Sequence, residues 1–284
     1  MGIILNRFEV VLNGGLGNQL FGWATGTSIA KKNNIEVIFN SSQIGERGYQ
    51  LDKFGIFATE NLPLTKNPLN RNVIKKIQNK ILGPHSINKF EFAELSFSFD
   101  NRFLKPRNGV SFYGYFQSWK YFDFNRNEII SKLNQIQNPS GNYGELQKLL
   151  KSDSFITIHI RRGDYINKTD YHGLVDVQFF NKAREVALSS TPGMKFVCFS
   201  DSIEIAKNMI PWADYFISSV DIESPAETLT LMKSTEGIIG SNSSFSWWAG
   251  YLMKNENIKI FPKQWFANKQ IDTVDLIPLT WNLI

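Results

Sequence analysis

Two adjacent cations close the apolar run FITIHIRRGDY, residues 155–165. Phe155–Ile160 reads as a buried strand, and in an open parallel sheet ligands sit at the carboxyl ends of the strands. Arg161 and Arg162 emerge there. Extended geometry sends neighbouring side chains to opposite sides, so one can face a ligand while the other pairs with Asp164 or the sheet edge. A guanidinium fits a phosphate bidentately, and each charge-assisted hydrogen bond contributes roughly 1.5–3 kcal/mol. Two arginines need more counter-charge than Asp164 alone supplies, which favours an anionic ligand over a structural Arg–Asp pair.

Two further stretches carry related chemistry. In NGGLGNQ, Asn13 to Gln19, glycines Gly15 and Gly17 let the backbone approach a phosphate, and the helix that follows offers free N–H groups. Gly15-x-Gly17 also fits the first half of a dinucleotide fingerprint. The third glycine position, however, holds Leu20, and the second strand ends in Asn40 where an acidic residue is expected. A nicotinamide enzyme is therefore disfavoured, while a plain tight turn remains open on the shape of the motif. In GSNSSFSWWAGYL, Gly240 to Leu252, either Asn242 or Ser243 can cap a helix whose buried face is Phe245, Trp248, Ala249 and Leu252. Capping needs one small polar residue, and Ser241 to Ser244 supply four. That surplus reads as an anion cradle at a positive helix end. The two tryptophans read as core.

The elements that must position these residues alternate. Strand 8–12, glycine loop 13–17, helix 18–34 and strand 35–39 begin a βαβ unit. Residues 40–67 read as loop, 68–83 as a helix, and 110–116 as a strand. Residues 125–150 read as helical with a Pro-Ser-Gly break at 139–141, the expected boundary between a lobe of residues 1–140 and one of 141–284. The second lobe reads as strands 155–160, 195–199, 215–218, 237–240 and 258–261. Helices near 176–189, 203–209, 225–233 and 244–254 alternate with them, which predicts a parallel sheet. All three motifs then fall at strand ends, as in a cleft for a ligand with two phosphates. The second lobe is expected to hold it and the first to close on it.

The bulk numbers agree. The 284 residues suit two lobes, and 42% hydrophobic with 20% charged residues reads as folded and globular. Aromatics reach 14%, which suits both large cores and sugar-stacking surfaces. The net charge of +5 is dispersed, and no run of Lys or Arg exceeds a pair, which favours an anionic small molecule over nucleic acid. Cys198 is the one cysteine and sits in the apolar run KFVCF, as a core residue in a reducing compartment does. Neither signal-peptide features nor a stretch of spanning length is present, so a cytoplasmic location is expected.

GGLGNQLF, HIRRGDY, FSDS and SNSSFSWW, in this order and spacing, resemble the bacterial α-1,2-fucosyltransferases of glycosyltransferase family 11. GYFQSWKYF, residues 114–122, is similar as well, and the likeness runs from about residue 9 to residue 266. The resemblance implies an α/β, GT-B-like fold of two Rossmann-like lobes, with a nucleotide-sugar cleft between them and the last helix returning to the first lobe. It implies transfer of L-fucose from GDP-β-L-fucose, with inversion and without a required metal or cofactor, to the 2-hydroxyl of a terminal galactose. Surface-polysaccharide synthesis follows, with a peripheral inner-membrane contact.

By the same resemblance Arg161 contacts the β-phosphate, and His159 and Asp201 read guanine. Asn18, Ser243, Ser244 and Phe245 line the diphosphate and fucose. Gly15, Gly17, Gln19, Arg162 and Asn242 complete the donor side, and Trp23, Tyr115 and Gln117 lie on the acceptor side. A sugar transition state is oxocarbenium-like, and Asp164 is the nearest motif carboxylate to act as base on the acceptor hydroxyl. Two departures stand out. Phe21-Gly22-Trp23-Ala24 replaces Phe-Gln-Tyr-Ala, and Ser202 replaces the second aspartate of Ser-Asp-Asp. The rival readings are a metal-dependent transferase using Asp221 and Glu223, and a non-catalytic glycan-binding protein.

Overall fold

Runs rich in β-branched and aromatic residues form the strands, and glycines and small polar residues take the turns after them. The computed structural model describes residues 6–58, 86–88, 91–162 and 175–284. The chain divides into two compact units, Met1–Leu133 with Asp272–Ile277, and Asn134–Ile271 with Pro278–Ile284.

The first unit opens with β1 (Arg7–Asn13), α1 (Leu16–Asn33) and β2 (Glu36–Gln43). Then come β3 (Ser86–Asn88), β4 (Glu91–Ala93), β5 (Ser111–Tyr113) and α2 (Arg126–Lys132). The sheet order is β2-β1-β5-β4-β3, parallel except for the antiparallel β3–β4 edge. A buried aromatic cluster fills the unit: the Phe103 ring meets Phe112 at 4.9 Å and Phe116 at 5.3 Å, and Phe116 meets Tyr121 at 5.8 Å. Each such side chain contributes about 1.5–3 kcal/mol on burial.

The second unit is α3 (Gly141–Lys151), β6 (Phe155–Ile160), α4 (Val177–Ser190), β7 (Lys195–Ser200), α5 (Ile203–Met209) and β8 (Tyr215–Ser218). It continues with α6 (Pro225–Met232), β9 (Gly237–Gly240), α7 (Ser244–Leu252), β10 (Ile258–Phe261) and β11 (Asn282–Leu283). The order is β11-β10-β9-β6-β7-β8, and every described pair is parallel. The chain starts mid-sheet, runs outward to β8, then restarts at β9 and runs outward the other way. This is the doubly wound order, and its topological switch point lies between β6 and β9.

Strand β6 shows why the sequence folds this way. Ile156, Ile158 and Ile160 share one face and join a core with Phe180, Ala183 and Ala187 of α4. Thr157 and His159 belong to the other face by the two-residue period. There Thr157 Oγ1 donates to the Met232 carbonyl at 3.1 Å. Cys198 is buried in β7, and burial pushes its thiol up, so it is inert core as expected.

The structure adjusts several expectations. Helix α1 begins at Leu16, which brings Gly17, Asn18 and Gln19 into its first turn. Residues 133–140 separate α2 from α3, a wider break than Pro-Ser-Gly, and Ser140 is the N-cap of α3. The Ser140 N–H and hydroxyl both donate to the Glu227 carboxylate at 2.9 Å, which ties α3 to α6. Strand 110–116 stops at Tyr113. Strands β3, β4 and β11 gave no usable periodicity at two or three residues each. The expected helix at 68–83 lies outside the described residues.

Candidate active site

Three strand ends of the second unit converge on its switch point. Beyond β6, Arg161 Nη1 lies 3.2 Å from Asp201 Oδ2, and the Arg162 N–H donates to Asp201 Oδ1 at 2.9 Å. Asp201 follows β7 directly. It therefore holds Arg161 from the neighbouring strand end, a task beyond the base reading implied by the resemblance. Arg161 keeps 26% of its side chain exposed. Arg162 does not: only 7% exposed, it donates to the Val175 carbonyl and meets Met209 Sδ at 3.1 Å. The two arginines do part to opposite sides, and Arg162 lies in the wall instead of on a donor-facing surface. Its Nε is buried without a partner among the described residues.

His159, at the end of β6, is buried. Its Nδ1 hydrogen-bonds Ser246 Oγ, which lies 3.3 Å from Ser241 Oγ, and the Ser241 N–H donates to the His159 carbonyl at 3.1 Å. Burial, then the nearby Arg161 charge, lowers the imidazole to about 3, with Asp201 opposing. The ring is neutral at physiological pH, so it can donate or accept a hydrogen bond but does not titrate there. The Phe245 ring sits 5.4 Å away, tilted by 48°. Ser246 was missed in the sequence. The available signal was its place one helical turn after Ser243.

Ser243 is the N-cap of α7, and its Oγ accepts the Phe245 N–H at 3.2 Å. Asn242 is buried and donates to the Trp265 carbonyl at 2.8 Å, so its amide braces the loop. Ser244 is half-buried as the first helical residue. Trp247 and Trp248 are core, as expected; Trp247 stacks on Tyr251 at 4.9 Å. Phe245 corrects the expected buried face, since it is only half-buried beside His159. The α7 N-terminus and Arg161 thus stand at the ends of adjacent strands β9 and β6, two positive features suited to an anion.

The carboxyl edge of the first unit holds the glycine loop. Gly14 takes φ +68°, a left-handed turn, and Gly15 is the N-cap of α1. The Arg47 guanidinium lies against Gly15, since a Cβ there would meet its Nη1 at 2.8 Å. In the sequence this cation falls within the loop-rich stretch 40–67, which carries no motif. Gln19 is fully buried; its amide donates to the Gly14 and Gly48 carbonyls and accepts the Gln50 N–H, each at 2.9 Å. It ties two loops together, which corrects its place among donor contacts. Asn18 Oδ1 accepts from Gln117 Nε2 at 2.8 Å, joining the glycine loop to the 114–118 turn. Tyr115 is 37% exposed and stacks on Phe97 at 6.2 Å. Trp23 is buried in α1, so its ring belongs to the core and not to an acceptor surface.

Asp164 lies outside the described residues. Asp221 and Glu223 follow β8, the edge strand, with β7 between it and β6, and Asp221 accepts the Ser218 N–H at 3.0 Å in a capping box. That position is removed from the switch point. No helix among the described residues is long and apolar enough to cross a membrane.

One of the two units, each built on a Rossmann-like sheet, thus presents an arginine, a neutral histidine and a serine-capped helix at its switch point, an arrangement suited to an anion. The chain belongs to glycosyl transferase family 11, whose family model matches residues 5–284. It is 28% identical over 302 residues to an alpha-1,2-colitosyltransferase of Escherichia coli, covering 99% of this chain and 98% of the relative. It is 26% identical to the O-antigen biosynthesis glycosyltransferase WbnK of Escherichia coli, covering 93% and 97%. Among solved structures it resembles NodZ alpha-1,6-fucosyltransferase soaked with GDP-fucose, with a TM-score of 0.51 and 11% identity over 87% of this chain and 93% of that one. The fold is accordingly GT-B-like, and the protein is a glycosyltransferase.

Proposed function

We propose that this glycosyltransferase moves L-fucose from GDP-β-L-fucose to the 2-hydroxyl of a terminal galactose, with inversion, in the synthesis of a bacterial surface polysaccharide. The observation that carries the reading is Arg161, part-exposed at the β6 end and held by Asp201, one strand from the α7 N-terminus. When the glycosidic bond to the diphosphate breaks, negative charge grows on the leaving phosphate. A fixed guanidinium and the free N–H groups of a helix start stabilise that charge without reorganising. In this reading no metal is required, and His159 serves as a hydrogen-bonding group for the donor. Ser243, Ser244 and Phe245 line the donor, with Asp201 near the base as well as on Arg161. Asp164 takes the acceptor proton. Asn18 and the 114–118 turn, with Tyr115 and Gln117, serve the acceptor side.

A second reading of the donor has its own support, because a relative aligned over nearly the whole chain is a colitosyltransferase. Colitose is a deoxy relative of fucose, and the same diphosphate machinery serves either sugar.

Purified protein incubated with lactose and either GDP-fucose or GDP-colitose, in excess EDTA, tests the proposal. Fucosyl-lactose with an α-1,2 linkage by NMR is the expected product. Faster turnover of GDP-colitose would move the donor assignment to the second reading. Activity abolished by EDTA and restored by a divalent cation would revive the Asp221/Glu223 alternative. GDP binding without turnover on lactose would keep the donor site and move the assignment to another acceptor or donor, whereas glycan binding without any GDP binding would favour a glycan-binding protein.

A further inference from the structure

Glu94 lies directly after β4, in a part of the first unit that no motif marked. Its Oε2 accepts two consecutive backbone N–H groups, from Tyr115 at 2.9 Å and Phe116 at 2.8 Å. Its own N–H donates to the Tyr113 carbonyl at 2.8 Å, extending the β4–β5 ladder to the carboxylate. On the far side of the turn, Asn13 Nδ2 donates to the Gly114 carbonyl at 2.9 Å. Gly114 has no room for a side chain, because a Cβ there would meet the Glu94 Cβ at 2.6 Å. The turn is thus gripped from β1 and β4 at once.

The grip has a backbone consequence. Phe116 takes φ +51°, a left-handed conformation that a bulky L-residue rarely adopts. Two features hold it there: the carboxylate on its N–H, and its ring wedged between Phe103 and Tyr121. This reversal lies three residues beyond β5, in the turn where Tyr115 stays exposed on Phe97 while Gln117 reaches Asn18. The exposed Tyr115 ring on the half-buried Phe97, with the half-buried Asn18 amide joined to Gln117, suits what a sugar offers, an apolar ring face and hydroxyls.

We propose that Glu94 is the positioning residue of the acceptor platform: by binding the N–H groups of Tyr115 and Phe116 it fixes the turn that presents Tyr115 to a saccharide acceptor and holds the buried Gln117 against Asn18. This rests on the acceptor role given above to that turn. Glu94 touches no substrate; it acts through the backbone. Its Oε1 is buried without a hydrogen-bond partner among the described residues. Burial raises the carboxyl to about 8, against the lowering effect of the two N–H groups, so it serves as a neutral acid near pH 7. An amide can replace a neutral acid in this geometry, since its oxygen accepts the same two bonds.

The test compares Glu94→Ala, Glu94→Asp and Glu94→Gln with wild type in three measurements: acceptor KM and kcat with lactose, GDP affinity by calorimetry, and amide exchange at Tyr115 and Phe116 by NMR. Glu94→Asp keeps the carboxyl but is one methylene too short, which covers the case of an unfolded alanine variant. Expected for both Ala and Asp are about tenfold faster exchange at the two amides and an acceptor KM raised about tenfold, with GDP affinity within about twofold. Glu94→Gln should restore both readouts to within about threefold of wild type. Unchanged exchange in the Ala and Asp variants would overturn the anchor. Faster exchange with unchanged acceptor KM would overturn the positioning role. Wild type that transfers to no acceptor would refute the proposed function, while exchange would still decide the anchor.

Discussion

Asp201 binds Arg161 and the backbone of Arg162 with its two carboxylate oxygens, at 3.2 and 2.9 Å, across the ends of β7 and β6. One carboxylate thus sets both the direction of the exposed guanidinium and the bend that sends Arg162 into the wall. Removing it should disturb more than one charge.

Asp201→Ala leaves the Arg162 N–H without its acceptor and Arg161 without its brace. A loss of about 1–3 kcal/mol in denaturant unfolding is expected, together with roughly tenfold weaker GDP binding. Asp201→Asn keeps an oxygen for the N–H, so its stability should lie closer to wild type.

Ser246→Ala strips His159 Nδ1 of its partner within a buried site. A destabilisation of about 1–3 kcal/mol is expected from the orphaned nitrogen. In this variant the fall in GDP affinity should exceed that in Ser246→Thr, which retains the hydroxyl. Equal affinities for the two variants would separate His159 from donor binding.

His159 gives the fold an acid limit. Its pKa is about 3 in the folded chain against 6.5 for a free imidazole, so the unfolded state binds the proton first. Its stabilising contribution is full above pH 6.5 and is lost as pH falls toward 3, with a slope of at most about 1.4 kcal/mol per pH unit. Unfolding midpoints of wild type and His159→Gln between pH 4 and 7 check this. The variant should lack that part of the acid dependence.

Glu94 acts in the opposite sense. Its carboxyl titrates at about 8 when folded and near 4.5 when free, with burial the main cause and Asp100 adding to it. Below pH 4.5 it costs nothing, and as pH rises toward 8 the unfolded state gains by ionising while the folded state cannot. Tyr121, also buried nearby, keeps its own proton across this range. Glu94→Gln should therefore become progressively more stable relative to wild type from pH 4.5 to 8, at up to about 1.4 kcal/mol per unit.

Legibility in the sequence followed the kind of signal. FITIHI and KFVCF announced themselves because a central parallel strand is buried on both faces and must be apolar throughout. The opposite directions of Arg161 and Arg162 followed from the two-residue period alone. Gln19, Asn242 and Trp23 show the limit of a motif: it places residues at a site without separating those that face a ligand from those that brace the loop. Ser246 and Glu94 were hidden for another reason. Each matters through a partner distant in the chain, 87 residues away for His159 and 22 for the Phe116 N–H, and no local pattern encodes such pairings. The three-residue strands β4 and β5 likewise exist because neighbours supply their hydrogen bonds.

The most direct test of the central claim, that Arg161 holds a nucleoside diphosphate at the switch point of the second unit, is calorimetric titration of wild type and Arg161→Ala with GDP and with guanosine. The account predicts that the variant binds GDP at least about 30-fold more weakly, some 2 kcal/mol, while guanosine affinity stays within about twofold. Equal GDP affinities in the two proteins, or no GDP binding by wild type, would contradict it.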